Sequence, residues 1–167
     1  LRRADHLPDK LRYKAVLEEH DMGEVLLSGV FDAFDTVFRR RTARLRRLAT
    51  AGSGVLPPGE LSPDLLDALA EEAALLARQF STVIVRAIDY CPPVDISFGD
   101  YLRALVTVDS DLVQVDKLGY RETLIEAFRL RGVDPGGVRS YAVESLRWDP
   151  PLRRGRRAHP HRHERRR

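Results

Sequence analysis

Two long runs of apolar residues at helical spacing, joined by a short Pro/Gly segment, constrain this chain more than any other feature. In the first run, Leu26, Val30, Phe34, Val37 or Phe38, Arg41, Leu45 and Leu48 recur at intervals of three and four, and Val25 and Phe31 widen the stripe. Asp21 stands just ahead as an N-cap, and Gly52-Ser53-Gly54 closes the run. The spacing predicts a helix over 22–50, long enough to serve as a packing spine. In the second run, Leu65, Leu69, Ala73, Leu76, Phe80, Val83 and Ala87 keep the same period. Ser62-Pro63-Asp64 opens it with an N-cap, a first-position proline and a first-turn acid, and Pro92-Pro93 stops it. Thr82 to Val85 taken alone would suit a strand, but the unbroken period from Leu65 predicts a helix over 62–90.

The rest of the chain continues the helical pattern in shorter pieces. Ser97-Phe98-Gly99-Asp100 resembles a capping box with Asp in the place of Glu. It opens a predicted helix over 98–108 that buries Phe98, Tyr101, Leu102, Leu105 and Val108. An acidic loop follows over 109–118, then a helix over 120–131 that buries Leu124, Ile125 and Phe128 and ends at Gly132. Pro135-Gly136-Gly137 is a turn, and 138–148 reads either as a short strand or as an extended packing arm. Residues 1–21 read as an irregular lead-in. The expected fold is all-α, with four main helices in a helical domain over 1–149 and a disordered, Arg/His-rich tail over 150–167.

Charge narrows the function classes. The chain of 167 residues has 28 Lys and Arg against 25 Asp and Glu, a net charge of +3. Eight of those bases and one acid, Glu164, lie in 151–167, so that this segment carries +7 and residues 1–150 carry −4. A nucleic-acid-binding fold should carry positive charge on its body, so no specific nucleic-acid partner is expected. Contact with polyanions is expected only through the tail, and without sequence preference. No apolar run approaches the roughly 20 residues that cross a bilayer, so no membrane partner is expected either. The longest run, Ser81 to Ile88, is interrupted by Arg86. The only cysteine, Cys91, excludes an internal disulfide and any multi-Cys metal site.

Five groups of residues invite a chemical reading. His159, His161 and His163 alternate among the tail arginines and could hold a divalent metal, but the composition favours a solvated tail. Arg39, Arg40, Arg41, Arg44, Arg46 and Arg47 crowd the first helix. At 100° per residue they spread around the cylinder, and acids at 60, 64, 67, 71 and 72 can face them, which favours an ion-paired face over a polyanion patch. Asp109, Asp111 and Asp116 invite a calcium reading, yet the glycine and closing glutamate of an EF-hand loop are missing, which favours a solvated loop. Cys91, between Tyr90 and Pro92 at a helix end where the dipole opposes a thiolate, reads as a buried structural thiol. His20 lies ahead of the long helix among Glu18, Glu19 and Asp21. A histidine so placed can donate a hydrogen bond to a developing oxyanion, although a surface or capping role is the simpler reading.

Longer blocks carry a family likeness. The segment Glu19-His20-Asp21-Met22-Gly23-Glu24-Val25-Leu26-Leu27-Ser28-Gly29-Val30-Phe31-Asp32-Ala33-Phe34 resembles the part of thermolysin-like zinc metallopeptidases, the gluzincins, that carries their non-ligand active-site histidine. Further blocks resemble bacterial proteins of that kind: Arg41-Thr42-Ala43 with Leu48-Ala49-Thr50, the stretch from Ala87 to Leu105, and Gly119-Tyr120-Arg121 with Ile125 to Arg129. The likeness spans roughly residues 14–149.

The resemblance implies a zinc peptidase in which His20 stabilises the oxyanion of the tetrahedral intermediate, with Glu18 or Glu19 orienting its ring. The zinc site of such enzymes needs H-E-x-x-H, two histidines one helical turn apart around a water-activating glutamate, and a further glutamate downstream. This sequence contains no H-E-x-x-H. In the family that motif lies upstream of the matched segment, and the chain starts at Leu1. The expectation is therefore a C-terminal helical part of a metallopeptidase-like protein. It would hold no zinc itself, be inactive alone, and act on a peptide or protein substrate only in its full-length context. The alternative is a non-catalytic helical protein-interaction module.

Overall fold

A computed structural model describes residues 19–56, 58–59 and 61–148. Among these residues the secondary structure is helical, without strands: α1 (Glu19–Ala49), α2 (Pro63–Tyr90), α3 (Phe98–Leu112), α4 (Tyr120–Leu130) and the short α5 (Val143–Leu146). The four long helices stand where the apolar periodicity put them. The expectations for the lead-in over 1–18 and for the 150–167 tail lie outside the described residues.

Three boundaries differ from expectation. Helix α1 already includes Glu19, His20 and Asp21, so Asp21 is a first-turn residue and not the N-cap. Carboxylates there suit the positive end of the helix dipole. Helix α3 continues past Val108 to Leu112, through the first four residues of the stretch expected to be an acidic loop. The charge of Asp109 does not break it, because Arg121 reaches back from α4 to pair with that carboxylate at 2.8 Å. The segment 138–148 is neither a strand nor a fully extended arm, since Val143–Leu146 closes one helical turn.

Local chemistry explains the other ends. The Ser62 side chain accepts from the Leu65 amide to start α2. Ser97 and Asp100 form the reciprocal capping box of α3. Gly52 and Gly132, at φ +84° and +74°, take the left-handed conformation that follows α1 and α4.

Helix α3 is the centre of the molecule. Every residue from Ala104 to Asp109 is buried, as expected of a helix covered on all sides. Helices α2, α4 and α5 pack on it, and α1 packs on α2 and α4. Phe34 meets Phe80 edge-on at 5.3 Å, and Phe80 meets Tyr120 at 4.4 Å, so an aromatic chain runs through α1, α2 and α4. The Phe34–Phe80 contact and the Arg41–Glu72 pair at 2.6 Å set α2 antiparallel to α1. The expected stripe of α1 is partly displaced. Val25, Ala33 and Val37 are buried, whereas Phe31 and Leu48 are exposed.

Two glycines mark close approaches. A Cβ on Gly99 would lie 2.7 Å from the Asp134 carbonyl oxygen, so the turn after α4 sits directly on the start of α3. A Cβ on Gly29 would lie 3.2 Å from the Phe128 ring, which tightens α1 against α4.

Candidate functional site

His20 is the residue the sequence singled out, and its backbone lies in the first described turn of α1. Glu18, and the side chains of Glu19 and His20, lie outside the described residues. What is described is the frame that holds this turn. Ser28, two turns further along α1, donates to the Val25 carbonyl at 3.0 Å and accepts from Arg131 Nε at 2.8 Å. Arg131 also donates to Asp32 at 3.2 Å and to the Ala127 carbonyl at 2.7 Å. With Val25 buried one turn from His20, the N-terminal half of α1 is fixed against the end of α4.

Beyond this turn, apolar side chains are open to solvent. Leu27 and Phe31, one turn apart on α1, are 39% and 40% exposed. The antiparallel register set by Phe34–Phe80 brings the C-terminal end of α2 alongside them. There Val85 and Ile88 are 65% and 61% exposed.

The other candidates resolve into structural roles. Asp109 is 1% exposed, and its Oδ2 accepts from Arg121 Nε. The same guanidinium also donates to the carbonyls of Asp109 and Val113, which fastens α4 to the end of α3. Burial raises the Asp109 carboxyl above the ordinary range, while Arg121 and Gln79 pull the other way. Asp111 accepts from Tyr90 at 3.0 Å. Asp116 accepts from the Arg121 amide at 2.8 Å and so caps the start of α4. The expected solvated acidic loop is thus corrected to three separately engaged carboxylates. Among the described residues no cluster of three or more His, Cys, Asp or Glu side chains could hold a metal ion.

The arginines of α1 divide by partner. Arg41 pairs with Glu72, Arg39 with Asp35 at 2.6 Å, and Arg40 donates to the Leu118 carbonyl and to Thr123, each at 2.9 Å. The face is therefore ion-paired in part, as the sequence suggested, with Glu72 supplying the cross-helix partner. Cys91, half-buried at the end of α2, donates to the Ala87 carbonyl at 3.3 Å, and burial pushes its thiol up. It has the character of a structural thiol.

No family model matches the chain, and neither a curated protein nor a solved structure is significantly similar to it.

Sequence reasoning missed Arg131 and Arg121, the two arginines that organise the α1–α4 and α3–α4 junctions. Each partner that matters most to Arg131, Ser28 and Asp32, lies about a hundred residues upstream, where no local pattern connects them. It also missed a cavity near the C-terminal end of α1, far from His20.

Proposed function

We propose that this chain is the C-terminal helical part of a thermolysin-like zinc metallopeptidase, in which His20 stabilises the oxyanion of peptide hydrolysis. Zinc and the water-activating glutamate would come from an H-E-x-x-H segment outside these 167 residues. The observation that carries the reading is the position of His20 at the start of a braced helix whose next turns leave Leu27 and Phe31 exposed. Exposed apolar side chains there fit a core completed by a further segment. The residue pattern from Glu19 to Phe34 supplies the chemical identity. Attack of the zinc-activated water on a peptide carbonyl places negative charge on its oxygen, and an imidazole N–H donor held opposite the metal lowers that barrier.

The test uses the protein that carries both the H-E-x-x-H helix and this chain. His20→Ala should reduce peptide turnover by about 10²–10³-fold, the usual effect of deleting one oxyanion donor, with zinc content unchanged. Loss of zinc in that variant would make His20 a ligand and overturn the assignment. Residues 1–150 alone should bind no stoichiometric zinc and cleave no peptide, and zinc-dependent peptidase activity from them would also defeat the reading.

The same exposed Leu27 and Phe31 favour a second reading, a non-catalytic module that docks on a partner protein. Unchanged turnover in His20→Ala, together with loss of a partner in Phe31→Asp, would select it.

A further inference from the structure

A cavity of about 820 Å³ lies between the C-terminal half of α1 and the start of α2, lined also by Gly52, Gly54, Val55, Leu56 and Leu61. Twenty-two residues of helix separate His20 from Thr42 in its wall, roughly 33 Å at the α-helical rise. It is therefore separate from the proposed catalytic end. Its floor is hydrocarbon, contributed by Phe38, Leu61, Leu65 and Leu69. Thr42 and Thr50 also line it, but their hydroxyls donate to the Phe38 and Arg46 carbonyls at 2.8 and 3.0 Å and are engaged within α1.

The charge in this cavity is one-sided. Arg39 is neutralised by Asp35, and both line the wall. Arg46 and Arg47 line it too, and neither guanidinium makes an ion pair or hydrogen bond among the described residues. An apolar floor with two unpaired guanidinium groups complements a ligand with an apolar body and an anionic head. A guanidinium holds a carboxylate through two parallel N–H donors, and the volume falls within the roughly 300–1,000 Å³ typical of small-molecule pockets.

We propose that this cavity binds a long-chain carboxylate, with its hydrocarbon chain on the Phe38, Leu65 and Leu69 floor and its head group on Arg46 and Arg47. The two arginines then act as the head-group clamp, and the chain slot between α1 and α2 supplies the burial. This site does not depend on the peptidase reading.

Calorimetric titration of the 167-residue chain with dodecanoate, below its micelle-forming concentration, tests it. Saturable one-to-one binding is expected, with no comparable binding of dodecyltrimethylammonium. The Arg46→Ser/Arg47→Ser double variant changes only exposed side chains and should lose about tenfold or more in affinity, the weight of one charge-assisted contact. Leu69→Gln should weaken binding of the chain while leaving the helical circular dichroism intact. Absence of saturable binding, equal affinity for dodecanol and dodecanoate, or unchanged affinity in the double arginine variant would overturn the proposal. Displacement of dodecanoate by a leucine-rich acidic peptide at lower concentration would assign the cavity to a protein segment and overturn it as well.

Discussion

Arg131 illustrates how single side chains hold this molecule together. It follows α4 directly, where a cation suits the negative end of the helix dipole, and it is only 8% exposed. Its guanidinium donates to Ser28, Asp32 and the Ala127 carbonyl, so one residue satisfies acceptors on two helices. Replacing it with methionine keeps the apolar stem but leaves Ser28 and Asp32 without their partner. Arg131→Met should cost about 2–4 kcal/mol, as expected when one member of a largely buried pair is removed. Urea denaturation would measure this as a lower midpoint with an unchanged slope. Arg131→Lys should recover little, since an ammonium cannot span the separated acceptors that the planar fork reaches. Trp148 is a second such point: Arg103 lies over its ring at 3.6 Å, and its amide donates to Thr107 at 2.9 Å. These two contacts pin the C-terminal arm to α3.

At the scale of elements, helix existence was legible and helix neighbours were not. The 3,4 spacing from Leu65 to Ala87 and the Ser62 and Ser97 caps are local signals, and the structure bears out both helices they mark. The end of α3 was hidden because Asp109 reads as a loop former until Arg121, twelve residues on, is placed against it. Phe31 belongs to the apolar stripe of α1 by spacing, yet it faces outward, because periodicity reports an apolar face without reporting what covers it. For the candidate site, the sequence could name His20 but could not supply the Arg131–Ser28 brace behind it. Gly99 is the clearest case of an element held by a neighbour. It sits in the first turn of α3 with ordinary helical backbone, so nothing local demands glycine there. Any Cβ would meet the backbone of Asp134 and Pro135 at 2.7 Å, and backbone cannot yield as a flexible side chain would. Gly99→Ala should therefore destabilise by roughly 1–3 kcal/mol through overpacking, despite the higher helix propensity of alanine. Gly136→Ala serves as the control, because its Cβ would meet no atom within 4 Å. Thermal unfolding should separate the two variants by several degrees.

At the scale of the whole molecule, buried phenols couple stability to alkaline pH. Burial lifts the Tyr101 phenol to about 12 from its ordinary 10.0, while its hydroxyl donates to the Ile84 carbonyl at 2.9 Å. Tyr120, buried between α2 and α4, shifts in the same direction. A phenol whose pKa is raised on folding contributes stability that is complete below pH 10 and is lost as pH climbs toward 12. For Tyr101 the swing is about 2–3 kcal/mol. Urea midpoints should thus fall steeply above pH 10, and Tyr101→Phe should make that fall shallower by about one proton even though it is less stable at neutral pH.

The contact between α1 and α4 has one more consequence, for the order in which the protein is made. Ser28 leaves the ribosome 103 residues ahead of Arg131. At about 5–20 residues per second, the apolar face of α1 waits on the order of 5–20 s for the helix that covers it. Of the two described helices that pack on α1, only α2 has emerged during that interval, so a nascent α1–α2 hairpin helps to keep that face from sticking to other chains.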